Sequence, residues 1–275
     1  MNFSERYQRQ ILLPQIGAEG MKLIANAKVL IIGAGGIGCP CLQALVAAGL
    51  GTIGIADGDD ISLSNLHRQF LFNANDVGKN KSEVAVEKLN QLNDEVKLIS
   101  LPINITSNNA IEIFSGYNLI VDGSDNFATR YLVNDASVKT DKPFLSAAVF
   151  QFTVQLGLFN ALHNDRRSAT YRCLFPEPPV DAQACNTAGA IGSVTSTIGS
   201  LLANEVLKFI CGESALFNKF IEMDLMNLSL QKISFARNEE TVLDIMKNEL
   251  PSNDAYLKFS CSVGLSDEIE IQSAE

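Results

Sequence analysis

The chain has no tryptophan, two histidines in 275 residues and an aromatic content of 7%. So few histidines give little support to a histidine-ligated metal centre or a histidine-driven nucleophile. Basic residues are outnumbered, 21 to 31, and the formal charge is −10, which leaves no nucleic-acid signature. The opening "MNFSERYQRQ" lacks the apolar stretch of a secretory signal. The six cysteines lack disulfide-like spacing, and a cytoplasmic location is expected. Charge is missing altogether from Val29 to Ala56, a run long enough to imitate a membrane span. Seven glycines and Pro40 interrupt it, so a buried parallel-sheet unit is expected and no membrane association.

What is present reads as globular, with 47% hydrophobic and 19% charged residues. The acidity is concentrated: residues 239–275 carry nine acids and two lysines, −7 of the total −10. Two regions are therefore expected, a domain over 1–238 and an acidic tail over 239–275. The tail reads as a flexible segment or an appended domain cut short.

Hydrophobic patterning predicts an amphipathic helix over 18–26. A strand–helix–strand unit follows at 28–33, 36–48 and 51–56, then a polar loop over 57–79 and a helix over 80–93. Strands at 96–101 and 117–121 flank a short helix, and "NFATRYLVNDASVKT" reads as another. After residue 142 the rhythm changes to short strands, "PFLSAAVF", "FTVQLGLF", "KFIEMD" and "LSLQKISF", with a helix over 189–211 among them. The fold class that follows is α/β, a Rossmann-like and mostly parallel sheet extended by antiparallel strands.

The segment "KVLIIGAGGIGCP" matches G-x-G-x-x-G through Gly33, Gly35 and Gly38, with Gly36 in addition. Such a loop turns tightly and presents helix N–H groups to phosphate oxygens. Asp57, 24 residues beyond Gly33, sits where an acid accepts ribose hydroxyls. Both features suit NAD and ATP alike. "DGDDISLSNLHRQFLF" then adds Asn65 and Arg68, and "GKNKSE" adds Lys81 at a helix start. Cations converging on a nucleotide's phosphates are needed where pyrophosphate departs, and a hydride-transfer site has no use for them. "VDGSDNFATR" brings Asp122 and Asp125 to the same sheet edge, one of them a candidate Mg²⁺ ligand.

From Arg6 to Phe235 the chain resembles the ThiF/MoeB/HesA family, bacterial relatives of ubiquitin-activating enzymes. The motifs that carry the resemblance are "RYQRQ", "GAGGIG", "D-x-D-x-x-x-x-SNLHRQ", "GKNK", "DGSDN-x-x-x-R", "YRCLFPEPP" and "C-x-x-A-G". The resemblance implies an ATP-dependent adenylyltransferase. Its partner would be a small ubiquitin-like sulfur carrier ending in Gly-Gly, whose carboxylate attacks the α-phosphate and releases pyrophosphate. By motif, Gly36 belongs to the nucleotide loop and Asp57 to the ribose, with Asp59 and Asn126 beside the nucleotide. Asn65, Arg68 and Lys81 fall to the phosphates, and Asp125 to Mg²⁺. Arg9 would reach the other subunit's site in a homodimer. A sulfurtransferase or cysteine desulfurase is a further implied partner, in molybdopterin, thiamin or another sulfur pathway.

Cys185, before a predicted helix, is a candidate nucleophile for a later thioester or sulfur transfer. Many relatives bind structural zinc through two C-x-x-C pairs. Here Thr170 stands where the first cysteine would, beside Cys173, and the sole cysteine after Cys211 is Cys261, so zinc is not expected. Cys39 and Cys41 read as core, Cys211 as a helix end, and His67 as a loop residue near the nucleotide or carrier. His163, Arg166 and Arg167 read as a solvated turn, and Phe150 and Phe152 as sheet core. Loop 172–188 is a candidate lid. Three rivals remain: the same chemistry on a ribosomal peptide, an NAD-dependent oxidoreductase, and a non-catalytic scaffold. "DEIEIQSAE" faintly resembles the entry to a rhodanese-like domain.

Overall fold

The structure is a computed structural model and describes residues 5–177 and 189–258. The charge-free run becomes β1 (Lys28–Ile32), α3 (Gly38–Ala47) and β2 (Thr52–Ala56). Before it lie two helices, α1 (Gln8–Ile11) and α2 (Gly17–Asn26). The run is apolar because both faces of its strands are covered. Val29 and Ile31 pack into one core cluster, while Leu30 and Ile32 pack into another on the opposite face. Then come α4 (Lys81–Leu92), β3 (Lys97–Leu101), α5 (Ala110–Ser115), β4 (Leu119–Asp122) and α6 (Phe127–Lys139).

Among the described residues the main sheet has eight strands, in the order β10-β9-β6-β5-β4-β1-β2-β3. Pairings from β3 across to β5 are parallel. From β5 (Phe144–Phe150) through β6 (Thr153–Phe159), β9 (Lys219–Asp224) and β10 (Ser229–Ser234) they are antiparallel. The expected fold class is thus what forms, and the change of rhythm after residue 142 marks the switch. A small hairpin, β7 (Leu162–His163) with β8 (Arg166–Arg167), sits apart, and there Arg167 pairs with Asp141 at 2.6 Å.

Helices α2, α3, α4 and α8 (Gly192–Ile210) cover one face. Helices α5, α6 and α7 (Tyr171–Leu174) cover the other. The tail supplies two more helices, α9 (Glu239–Lys247) and α10 (Asn253–Leu257), both packed against α6. Among the described residues no helix is long and apolar enough to cross a membrane. Phe150 and Phe152 correct the expectation of sheet core: they are 41% and 40% exposed. They flank Gln151, which takes φ +53° at the tip of the β5–β6 turn, and Phe150 borders the open cleft described below.

Strand order reverses between β1 and β4, so the loops leaving those strands part and open a crevice at the sheet's carboxyl edge. Helix α8 crosses α3 closely beside it. A Cβ on Gly199 would stand 2.4 Å from the Ile37 carbonyl oxygen and 2.5 Å from the Pro40 ring. Gly199→Ala should push the two helices apart and cost about 1–3 kcal/mol, read as a lowered urea midpoint at unchanged slope.

Candidate active site

The crevice is a cleft of about 1380 Å³. Its floor is the glycine loop. Gly33 takes φ +91°, and a Cβ on Gly38 would lie 1.9 Å from the Gly33 carbonyl oxygen, so the turn closes only without a side chain. Gly36 lies against Thr195 of α8, where a Cβ would meet that side chain at 3.3 Å. Gly35 faces open space beside Gln69 and lines the cleft.

Asp57 ends β2 and is nearly buried. Its Oδ2 accepts the Ala34 N–H at 2.7 Å and its Oδ1 the Asp59 N–H at 2.9 Å. Burial pushes its carboxyl above the ordinary aspartate range, while Lys81 and those two N–H groups pull it down. Asn80 caps α4 by accepting the Ser82 and Glu83 N–H groups. Its Nδ2 donates to the carbonyls of Asp57 and Asp59. That tie sets Lys81, the first residue of α4, beside Asp59 with Nζ to Oδ2 at 2.8 Å.

Arg68 lies on the loop between β2 and α4, braced where Phe70 and the His67 carbonyl pack on Gly192. Its Nη1 donates to the Ser64 carbonyl at 3.2 Å and to His67 Nε2 at 2.8 Å, leaving the His67 proton on Nδ1. Asn65 lines the cleft on the same loop.

The two aspartates after β4 have different fates. Asp122 is fully buried and accepts from the Ser124 N–H, the Ser124 hydroxyl and the Ser146 hydroxyl, with Arg130 Nε at 3.6 Å. It fixes the turn and has no room for a metal. Asp125 is exposed and lines the cleft. Asn126 lines it too, and caps α6 by accepting the Thr129 N–H.

The cleft therefore gathers Gly33, Gly35, Gly36, Asp57, Asp59, Asn65, Arg68, Lys81, Asp125 and Asn126; Gly38 supports the turn beneath. Arg9 does not line it; it is exposed on α1. Cys185, Cys261 and most of the candidate lid lie outside the described residues. Among the described residues no group of three or more His, Cys, Asp or Glu is placed to hold a metal. Cys173 is engaged otherwise: Thr170 and the Asn238 N–H both bond its sulfur.

Arg130 was legible in the motif ending "N-x-x-x-R" but carried no assigned role. It is 6% exposed, lines the cleft, and lies over the rings of Phe127 and Tyr171. Gln69, buried with Oε1 lacking a hydrogen bond, also lines the cleft, and its position after Arg68 was the sole signal. Asn253, Tyr256 and Leu257 of α10 line it as well, and nothing in the tail's sequence announced them.

A Rossmann-type sheet, a glycine loop at its switch point, a nearly buried acid after β2 and cations on one rim are the features of a nucleotide-handling enzyme. The family model described as "ThiF family" matches residues 7–243, and the chain belongs to that family. It is 44% identical to the sulfur carrier protein adenylyltransferase of Thermus thermophilus, over 85% of this chain and 88% of the relative. It is 37% identical to the probable adenylyltransferase/sulfurtransferase MoeZ of Mycobacterium tuberculosis, over 86% of this chain and 61% of the relative. Among solved structures, E. coli MccB with ATP superposes at a TM-score of 0.74 and 27% identity, over 86% of this chain and 73% of that one.

The Asp122–Arg130 contact can be tested without any ligand. Asp122→Ala strands a buried guanidinium and frees three hydroxyl and N–H donors. It should cost about 3–5 kcal/mol in chemical denaturation, whereas exposed Asp125→Ala should leave stability within about 0.5 kcal/mol of the parent.

Proposed function

We propose that this adenylyltransferase transfers AMP from ATP to the C-terminal glycine carboxylate of a small ubiquitin-like sulfur carrier. The observation that carries the reading is the meeting of Asp57, Arg68, Lys81 and Asp125 around one glycine loop. In this reading Asp57 accepts the ribose hydroxyls, and the loop's N–H groups approach the phosphates. One carboxylate oxygen of the carrier attacks the α-phosphorus. The bond from that phosphorus to the bridging oxygen breaks, and pyrophosphate leaves with the electron pair. The attacking group is already ionised at neutral pH, so no general base is required. Positioning and charge neutralisation supply the rate, with Arg68 and Lys81 facing the departing pyrophosphate.

Asp125 would hold a magnesium ion through its exposed carboxylate, and the ion would supply neutralisation of the phosphate charge. Lys81 must exchange Asp59 for phosphate. Asp59 can turn to solvent as the pair opens, because its side chain is 65% exposed, while Lys81, 8% exposed, stays at the cleft. The sulfur-carrier acceptor is favoured over a peptide because sequence identity is 44% to the carrier enzyme against 27% to MccB. A cytoplasmic setting accords with Cys39, Cys41, Cys173 and Cys211 being unpaired.

ATP–pyrophosphate exchange against purified Gly-Gly carriers tests this. Exchange is expected with one of them, and Arg68→Ala or Asp125→Ala should each lower it by about 10²–10³. Silence with every carrier defeats the acceptor assignment. Arg9, exposed on α1 and outside its own cleft, is assigned to a partner's site in a homodimer. Arg9→Ala and Asp125→Ala proteins, each inactive alone, should regain about a quarter of parental exchange when mixed and re-equilibrated, because half the dimers then hold one complete site. No recovery removes Arg9 from the partner's site.

A further inference from the structure

Helix α10 lies far from the motifs in sequence, yet it forms part of the cleft. Ser252 caps it by accepting the Ala255 N–H. Tyr256 is 2% exposed, and its hydroxyl donates to Asp135 Oδ2 at 2.7 Å. Arg172 of α7 grips the same carboxylate with Nε on Oδ1 at 2.7 Å and Nη2 on Oδ2 at 2.8 Å. One buried carboxylate on α6 thereby latches both α7 and α10. At the helix's other end, Asn253 Oδ1 accepts the Ser107 N–H at 2.8 Å and the Ser107 hydroxyl at 3.0 Å. Because a backbone N–H can only donate, the amide orientation is forced: Oδ1 faces Ser107, and Nδ2 is left as a donor with no bonded partner among the described residues. Leu257 is 57% exposed, and both it and Asn253 line the cleft.

The arrangement of charge says what this wall faces. Arg68 and Lys81 reach the cleft from the side of the sheet covered by α3 and α4. Helix α10 reaches it from the side covered by α5 and α6, next to Asn104, Ile105 and Thr106 beyond β3. The cation on that second side, Arg130, is opposed by Asp122. A nucleotide held by its ribose at Asp57 has a charged end and an uncharged end, and only the second suits a wall made of one apolar side chain and one amide donor.

We infer that α10 is the base-end wall of the nucleotide site, with Asn253 Nδ2 donating to a ring nitrogen of the purine and Leu257 covering the ring. Tyr256 is a positioning residue that sets the wall through Asp135. The inference rests on the cleft being the nucleotide site.

Two variants of the full chain test it by calorimetric titration with ATP and by exchange kinetics. Asn253→Asp keeps acceptors for both Ser107 donors while removing the amide donor. Leu257→Arg alters an exposed side chain. Each is expected to weaken ATP binding and raise the KM for ATP by about fivefold or more, with kcat at saturating ATP and the melting temperature little changed. ATP affinity within about twofold of the parent in both variants overturns the wall. So does a lowered kcat with an unchanged KM for ATP. A parent protein that binds no ATP would overturn the nucleotide reading instead, so the two failures are distinct.

Discussion

The backbone of Gly38 approaches the Gly33 carbonyl so closely that no side chain fits between them, and the site depends on that approach. Gly33 in turn lies against Gly123, where a Cβ would meet the Gly123 carbonyl oxygen at 3.1 Å. Three backbone segments, leaving β1, entering α3 and leaving β4, therefore pack with little between them. This contact draws the start of α3 back over the sheet edge and leaves the β4 exit, with Asp125, facing the same cleft as Asp57 beyond β2. A bulkier residue at Gly38 would push apart the glycine loop and the β4 exit that together floor the cleft.

The charged groups around that turn differ in how firmly they are partnered. The buried acids are satisfied within the protein: Asp57 by two backbone N–H groups, Asp122 by two serines, a backbone N–H and Arg130. Their partners hold them in place, so they set geometry. Lys81 and Arg68 have replaceable partners: for Lys81, itself nearly buried, the solvent-facing Asp59 carboxylate, and for Arg68 the Ser64 carbonyl and the His67 ring. On the proposed reading, an arriving polyphosphate exchanges with these contacts while leaving those of Asp57 and Asp122 intact.

The parallel half of the fold was plain in the sequence because charge, glycine and strand length are local signals. A strand buried on both faces must be apolar throughout, and the run from Val29 to Ala56 is. Position along one sheet edge then placed Asp57, Arg68, Lys81 and Asp125 together. What the sequence hid was tertiary. Nothing local separates Asp122 from Asp125, since only the fold puts Ser146 and Arg130 around the first and solvent around the second. Phe150 and Phe152 alternate as core residues do, but they flank the β5–β6 turn and are exposed. The tail hid most, because five residues of α10 have too short a period to read, and their placement comes from Asp135, more than a hundred residues earlier.

The size of the cleft bears on what meets the nucleotide. Sites for drug-sized ligands occupy roughly 300–1,000 Å³, and this one exceeds that at about 1380 Å³. The surplus runs over the antiparallel extension, where Phe150, Thr153, Gln155 and Glu222 line it, and Gln155 Nε2 holds Glu222 Oε2 at 2.8 Å. A second reactant approaching along those strands reaches the phosphates without crossing the wall made by α10. On the proposed reading, an extended glycine tail suits that route, because it carries its carboxylate at the tip and no side chain to obstruct the channel. On that reading the antiparallel strands, which extend the floor of the cleft, would also be the track along which the acceptor approaches.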